Sequence, residues 1–237
     1  MHLIGDERES DSPYIERVWS SRSDHAEPFI SMANAHWGMV ITRYQGQLTL
    51  TVRGPETRAT AAHRPADAEW IGIQFKPGTL MPHLPAGKLM DRRDVNLPEA
   101  GSRSFWLNGS AWQFPDYDNM ETFVARLARD GLLISDSVVN ATLLGQPAGL
   151  SLRTVQRRFL QATGLTQNTV FQIERARYAT RLLTHSVPIL DAVDLAGYAD
   201  QPHLTRSLKR LIGKTPAQVA SESHDSRLSL LFKTEPF

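Results

Sequence analysis

The sequence lacks cysteine altogether, and this absence excludes several kinds of site from its 237 residues. Disulfides, thiolate zinc sites, iron–sulfur ligation and cysteine nucleophiles are all ruled out. Long apolar runs are missing too: none approaches the ~20 residues that a membrane helix needs, and the mean hydropathy is −0.32. The first residues, MHLIGDERESDS, are acidic and hold no apolar signal core. We therefore expect a cytoplasmic protein without a membrane partner.

The sequence also lacks an overall excess of one charge, because it has 26 Lys and Arg residues and 25 Asp and Glu residues. The distribution is nevertheless uneven. Residues 1–131 carry 14 basic and 17 acidic side chains (14 − 17 = −3), whereas residues 132–220 carry 10 and 5 (10 − 5 = +5), eight of the ten being arginine. A basic part joined to an acidic part indicates phosphate binding. The alternative is a solvent-exposed helical surface that binds no phosphate, which would have the same excess of basic residues.

Short strands are predicted for the N-terminal half, residues 1–117. The candidates are residues 36–43, 47–53, 69–75 and 105–107, which are rich in β-branched or aromatic side chains. Gln45 and Gly46 separate the first two and predict a hairpin turn. Frequent proline and glycine between the runs favour an antiparallel barrel or sandwich, with a short helix within residues 78–90.

The periodicity changes after Asn119. Met120, Phe123, Val124 and Leu127 follow the i, i+3, i+4, i+7 spacing of an amphipathic helix. We predict a helix over residues 118–131 that bridges the two halves. Residues 132–220 then read as short helices ended by glycines, with residues 221–237 as a tail.

One helix pattern occurs twice at an offset of 49 residues, in residues 151–166 and 200–215. Each copy opens with a residue that commonly caps helices, Ser151 or Asp200, and each ends in glycine, Gly164 or Gly213. Each carries an apolar ladder at i, i+4, i+7. The ladders are Val155, Phe159 and Ala162 in the first copy and Leu204, Leu208 and Leu211 in the second.

Opposite each ladder the helices carry forked or amide side chains. Arg153, Gln156 and Arg157 share one face of the first copy. In the second copy Gln201 and Thr205 lie four apart, and His203 and Arg206 lie three apart. Arginine pairs with guanine and glutamine with adenine in a major groove. Solvent-facing residues on two surface helices are the alternative, but the duplication within a basic segment favours DNA.

A single helix is predicted between the copies, because residues 167–185 contain neither proline nor glycine. A helix of roughly 18 residues is about 27 Å long. Such a helix can hold two recognition helices in successive major grooves, which are ~34 Å apart along the duplex.

These features together resemble the AraC/XylS family of bacterial transcription regulators over residues 132–220. The resemblance is carried by SLRTVQRRF with TG at 151–164, by Arg175, Ala179, Leu182 and Leu183, and by Ile189, Ala192, Gly197, Tyr198 and HLTRSLKR with GKTP at 203–216. It implies an all-α domain with two helix-turn-helix units joined by a long helix. Two departures are the glycines at 145 and 149, which shorten the leading helix of the first unit, and Pro202 at a position that often carries a polar side chain.

The resemblance also assigns DNA-contacting residues. Those expected to face bases are Arg153, Gln156 and Arg157 in the first unit and Gln201, Pro202, His203, Thr205 and Arg206 in the second. Thr154, Arg158 and Lys209 are better placed for phosphates.

The N-terminal half resembles the cupin-like sensory domain of a subset of these regulators. The matching stretches are VRGPET at 52–57, GIQFKPG at 72–78 and LMDRR at 89–93. Candidate ligand contacts on or beside the strands are Trp37, Arg43, Trp70, Gln74 and His83. Each of these residue types is more often a core or surface residue, and Trp37 and Trp70 suit the core.

No active site is predicted. The histidines of this half, His2, His25, His36, His63 and His83, form no H-x-H pair, so we expect neither a metal nor another cofactor. Nucleotide-binding and nucleophile-elbow motifs are missing. Alkyl-transfer repair modules, which are sometimes fused to AraC-type domains, act through cysteine and are excluded.

The sequence thus predicts a DNA-binding transcription regulator that is not an enzyme, with its activity set by the N-terminal domain. The expected partners are double-stranded DNA, RNA polymerase, a small-molecule effector and a second copy of the chain. Two alternatives stay open. One is a cupin-type metal-dependent enzyme carrying a DNA-binding domain, and the other is a regulator whose N-terminal domain binds a protein.

Overall fold

The computed structural model of this chain describes residues 4–91, 93–143, 145–146 and 149–221. The strands of these residues are, in chain order, β1 (Ile4–Glu9), β2 (Ile15–Ser23), β3 (Glu27–Ser31), β4 (Gly38–Tyr44), β5 (Gln47–Arg53), β6 (Thr60–Arg64), β7 (Ala68–Phe75), β8 (Thr79–Leu80), β9 (Val95–Asn96), β10 (Glu99–Gly101), β11 (Ser104–Leu107), β12 (Ser110–Gln113) and β13 (Ile134–Ser135). The helices are α1 (Met120–Arg129), α2 (Ser137–Leu143), α3 (Leu152–Thr163), α4 (Gln167–Thr184), α5 (Ile189–Leu195), α6 (Gln201–Leu211) and α7 (Pro216–Ser221). Residues 4–135 are called the strand-rich part below, and residues 137–221 the helical part.

The largest sheet is antiparallel and has the order β1-β2-β7-β4-β5-β9. The predicted hairpin joins β4 to β5, where Gln45 and Gly46 both have positive φ, 49° and 78°. Positive φ at both central residues gives the turn a twist that matches the flanking strands. The four predicted strands correspond to β4, β5, β7 and β11. The helix expected within residues 78–90 is a short 3-10 turn, Ala86–Lys88.

The sheets stay open. In the described residues the edge strands β1 and β9 do not pair with each other, and β3-β6, β10-β11-β12 and β8-β13 form separate small sheets. Of the predicted antiparallel barrel or sandwich, a closed barrel is therefore not formed by this part of the chain. A barrel requires its edge strands to pair, whereas β9 has only two residues and is followed closely by Pro98, which has no N–H to donate.

Aromatic side chains dominate the core of the strand-rich part. Trp37 and Phe75 stack with their ring centroids 4.2 Å apart. Phe123 of α1 meets Phe105 and Trp112 edge-on, at centroid distances of 6.3 and 6.0 Å. The apolar face of α1 is buried as its spacing predicts, and it packs against the strands of this core.

The helical part packs around α4, which has 18 residues and is contacted by α3, α5, α6 and α7. Its apolar side chains form a second core. Ala33 of the strand-rich part is fully buried in that second core, so the two parts are packed together. Within the described ranges, no helix has both the length and the apolarity that crossing a membrane requires. Of the predicted tail, residues 222–237 lie outside the described residues.

Candidate nucleic-acid interface

The first candidate recognition helix, α3, has the predicted build. The Ser151 side chain accepts a hydrogen bond from the backbone N–H of Thr154 and so caps the helix. Val155, Phe159 and Ala162 are buried. Gly164 follows the last turn with φ of 74°, the left-handed conformation that suits glycine at this position.

The opposite face of α3 is open to solvent. Arg153, Gln156 and Arg157 are exposed, as expected for side chains that contact a ligand. The two residues of α3 that were assigned to phosphates are engaged within the protein. The Thr154 hydroxyl lies 2.9 Å from Ser151 Oγ, and Arg158 Nε donates to Asp136 Oδ2 at 2.9 Å.

The second candidate recognition helix, α6, repeats this build. Asp200 Oδ1 accepts from the backbone N–H of His203 at 2.6 Å. The ladder Leu204, Leu208 and Leu211 is buried. Pro202 stands in the first turn, where an N–H has no intrahelical acceptor in any case.

The polar face of α6 is less uniform than that of α3. Gln201, Pro202, Arg206 and Lys209 are exposed, whereas His203 and Thr205 are partly buried. The His203 ring stands edge-on to Tyr198, with centroids 5.1 Å apart. His203 is therefore held against the turn that precedes α6.

That turn is tied to the long helix by Arg175 of α4. Its guanidinium carbon lies 4.2 Å from the centroid of the Tyr198 ring, and its Nη1 donates to the Gly197 carbonyl at 3.2 Å. The Tyr198 hydroxyl in turn lies 2.9 Å from Ser207 Oγ on α6. These contacts orient α6 relative to α4.

Two leucines on the exposed face of α3 were not anticipated. Leu152 is 69% exposed and Leu160 is 50% exposed, and both share a face with Gln156 at a spacing of four residues. The sequence could have identified them as exposed, because both leucines fall outside the apolar ladder that α3 buries. Apolar groups at such positions can contact thymine methyls.

The ligand candidates of the strand-rich part do not form one site. Trp37 is buried, and its Nε1 donates to the Thr79 carbonyl at 2.6 Å. Gln74 is buried and its Oε1 accepts from both Nε and Nη2 of Arg17 at 3.0 and 2.6 Å. Trp70 is partly buried, and exposed His83 follows β8, where partial desolvation lowers its pKa.

Arg43 differs from the other four candidates because it lines a cleft of about 270 Å³. The apolar lining is Ile41, Leu48, Ile71, Phe114 and Pro115, and the charged lining is Arg43, Glu69, Arg103 and Asp116. Arg43 Nη1 lies 3.6 Å from Glu69 Oε2. In the residues that the structure describes, no three His, Asp or Glu side chains group closely enough to hold a metal ion.

The paired helices and their caps define a class of domain: residues 144–222 match the family described as helix-turn-helix domain. The helical part is thus a DNA-binding domain of the kind found in transcription regulators. This match agrees with the AraC/XylS resemblance of residues 132–220. No solved structure gives a significant match to this chain.

Curated relatives agree with this assignment. The chain is 38% identical over 69 residues to the HTH-type transcriptional regulator RipA of Corynebacterium glutamicum, a match covering 29% of this chain and 21% of that protein. The RipA of Corynebacterium diphtheriae is 35% identical over 72 residues, covering 30% and 22%. The matched segment therefore spans about a fifth of the length of these relatives.

Proposed function

We propose that this chain is a sequence-specific transcription regulator that reads two adjacent major grooves of double-stranded DNA, one with α3 and one with α6. The observation that carries the proposal is the duplicated build. Each of the two helices buries an apolar ladder and exposes arginine and glutamine on its other face. Each also begins at a side-chain cap and is followed by a glycine.

The long helix between them supports the two-groove arrangement. Its 18 residues span about 27 Å, comparable to the ~34 Å between successive major grooves on one side of the duplex. Arg175 holds the turn before α6 against α4. The length of α4 therefore constrains the separation of α3 and α6.

The residues divide into two roles. We assign base contacts to Arg153, Gln156 and Arg157 of α3 and to Gln201, His203, Thr205 and Arg206 of α6, because such side chains reach base edges. Lys209 is exposed and suits a phosphate, as do Thr154 and Arg158 once they leave their internal partners. Because phosphate contacts release counterions, the affinity is expected to fall steeply as salt rises.

The test starts from duplexes that the wild-type chain selects from a random-sequence library. On the selected duplex, Arg157→Ala and Arg206→Ala are each expected to cost about 1–3 kcal/mol and to relax one base position. Arg129→Ala is the matched control, because Arg129 is an exposed arginine on α1 of the strand-rich part. It removes the same charge and is expected to leave the binding affinity unchanged.

Two outcomes would contradict the proposal. If the wild-type chain enriches no duplex, it is not a sequence-specific DNA-binding protein. If Arg157→Ala and Arg206→Ala weaken binding equally on selected and mixed-sequence DNA, the two arginines are phosphate contacts and the assigned base readout is wrong.

The strand-rich part is proposed to be a cupin-like sensory domain that sets the activity of the helical part. The cleft beside Arg43 supports a small effector with an apolar body and a charged group, because its apolar lining is accompanied by charges of both signs. A ligand that binds only the folded state raises the unfolding temperature of the full chain. Arg43 also lines a neighbouring cleft, whereas Arg103 lines this one alone of the two. Loss of that rise in both Arg43→Leu and Arg103→Leu would therefore place the effector in this cleft. RNA polymerase and a second copy of the chain are the further partners proposed.

A further inference from the structure

We propose that the strand-rich part positions both recognition helices, holding each at its C-terminal end and so setting their separation on DNA. This inference rests on the proposed function and deepens it. It assigns a positioning role to Ala33, Ala59 and Gly87 of the strand-rich part and to the two glycines, Gly164 and Gly213, that follow the recognition helices.

The end of α6 is completed by hydrogen bonds from the strand-rich part. The carbonyl of Arg210 accepts from the backbone N–H of Ala59 at 2.9 Å, and that of Leu211 accepts from the N–H of Ala33 at 2.7 Å. The last carbonyls of a helix have no donors within the helix itself. Here the donors come from segments more than 150 residues earlier in the chain, so the position of α6 is coupled to these segments.

The glycine after α6 lets the two parts approach closely. Gly213 has φ of 83°, and a Cβ placed on it would lie 2.7 Å from Cγ2 of Ile30 and 3.2 Å from Cβ of Ala59. Both distances are shorter than an ordinary van der Waals contact between carbons. The chain after α6 is thus packed against β3 and against Ala59, the residue before β6.

The end of α3 makes an equally close contact with another segment. A Cβ on Gly164 would lie 2.6 Å from the backbone nitrogen of Gly87 and 2.8 Å from its Cα. The neighbour is backbone, so no side-chain rotation can relieve the clash. This contact fixes α3 against the 3-10 turn Ala86–Lys88.

A third contact lies along α4, between the two recognition helices. Buried Arg177 donates from Nη1 to the Ala33 carbonyl at 3.5 Å. His36, three residues further on, has its Nε2 3.9 Å from Glu174 Oε1. Residues 33–36 therefore start at the end of α6 and run along α4. The strand-rich part thus contacts α3, α4 and α6.

These contacts leave the reading faces uncovered. Arg153, Gln156, Arg157 and Arg206 are exposed while the two parts are packed together. The contacts lie at the C-terminal ends of α3 and α6, and the candidate base contacts cluster in their N-terminal halves. The packed arrangement is therefore the one that binds DNA, and separating the two parts weakens binding because binding sites tolerate displacements of only about 0.5 Å.

Three glycine variants of the full chain test this. Gly164→Ala and Gly213→Ala insert a methyl group into the contacts with the strand-rich part. Gly131→Ala is the matched control: Gly131, which follows α1, has φ of 70°, so it incurs the same left-handed strain, but nothing lies within 4 Å of its Cβ position. The probe is the duplex that the wild-type chain selects from a random library, and hydroxyl-radical footprinting reports whether one groove or two are protected.

We expect Gly164→Ala to bind the selected duplex roughly tenfold or more weakly than Gly131→Ala, a difference of about 1.4 kcal/mol, and to lose the protection of one groove. Gly213→Ala should show a smaller loss, since its closest contact is a side chain. Adding Ile30→Ala to Gly213→Ala removes the Cγ2 atom and should restore both the affinity and the two-groove footprint. A defect of helix capping alone would not be rescued from Ile30.

The proposal is overturned if Gly164→Ala and Gly213→Ala bind as tightly as Gly131→Ala or more tightly, because the packed arrangement then does not assist binding. Amide exchange covers the case in which a variant folds poorly. In the wild-type chain the Ala33 and Ala59 amides should exchange slowly, and in Gly213→Ala they should exchange faster than in Gly131→Ala; equal exchange also overturns the proposal. If the wild-type chain selects no duplex, the proposed function fails, and exchange at Ala33 and Ala59 still tests the packing.

Discussion

Arg158 on α3 forms an ion pair with Asp136, its Nε lying 2.9 Å from Oδ2 of the carboxylate. The other oxygen, Oδ1, accepts from the backbone N–H of Val138 in the first turn of α2 at 2.9 Å. The N–H of Asp136 itself donates to the Gly78 carbonyl at 2.8 Å. One residue thus joins the turn before β8 to both α2 and α3.

Asp136→Ala should lower the free energy of unfolding by about 1–2 kcal/mol, because it removes a helix-capping acceptor and an ion-pair partner together. Urea denaturation at neutral pH measures the loss. Asp130→Ala is the control, since Asp130 is exposed and its pair with Arg126 is longer, 3.9 Å. A loss no larger than that of Asp130→Ala would show that Asp136 does not stabilise the packing of α2 against α3.

Glu121 of α1 is predicted to make stability depend on pH. Arg8 of β1 binds both carboxylate oxygens of Glu121 and also donates to the Tyr117 carbonyl at 2.8 Å. The hydrogen bond from Arg8 lowers the pKa of Glu121 below its usual range. A lowered pKa stabilises the fold above the ordinary glutamate pKa, and this contribution disappears as the pH falls through the lowered value.

Glu121→Gln should therefore cost about 0.5–1 kcal/mol near neutral pH, a modest value because both side chains are one-third exposed. The stabilities of variant and wild type should converge as the pH falls below about 4. Thermal unfolding over a pH series measures this. Glu99→Gln, at an exposed position of β10, should show no comparable dependence. A difference that stays constant with pH would exclude the ion pair as its cause.

Trp37→Phe should destabilise the strand-rich part without affecting ligand binding directly. The change keeps an aromatic ring beside Phe75 but leaves the buried Thr79 carbonyl without the Trp37 Nε1 donor. An unmet buried polar group costs about 1–3 kcal/mol. Chemical denaturation gives the loss, and Trp106→Phe, at a position 45% exposed, is the matched control. Equal stability of the two variants would indicate that the Trp37 hydrogen bond is not formed.

Arg175→Ala should loosen the turn before α6. It removes the cation–π contact with Tyr198, worth about 0.5–1 kcal/mol when partly exposed, and the hydrogen bond to the Gly197 carbonyl. Amide exchange in residues 197–200 should become faster, while the turn after α3 should be unchanged. Arg175→Lys keeps the charge but not the planar guanidinium, so it should resemble alanine more than arginine. Full protection in Arg175→Lys would mean that charge alone suffices.

The helical part was predictable because its signals are local. Ser151 and Asp200 mark the starts of α3 and α6, and the apolar ladders indicate which face of each helix is buried. Within each helix these signals lie within about a dozen residues of one another. α4 was likewise evident from an uninterrupted run without proline or glycine. The same reasoning placed α1 through Met120, Phe123, Val124 and Leu127.

Contacts between distant segments were not predictable in this way. β2 has scattered polar residues and no clean alternation, and β3 pairs with β6 across some thirty residues. The pairing of Arg158 with Asp136 and the contact of Gly164 with Gly87 depend on how elements pack, which periodicity does not encode. For the same reason Trp37 and Gln74 were candidate ligand contacts, whereas their polar atoms bond to Thr79 and Arg17.

The methyl group of Ala33, seated among the helices, has a practical consequence for work on shortened proteins. A fragment that starts at residue 132 would retain α3 and α6 but would have a cavity where this methyl group packs. The last two carbonyls of its α6 would accept hydrogen bonds from water instead of from the strand-rich part. Affinities measured on such a fragment would describe a protein whose α6 has different hydrogen bonds at its C-terminal end. The full chain is therefore the proper reference for every DNA affinity.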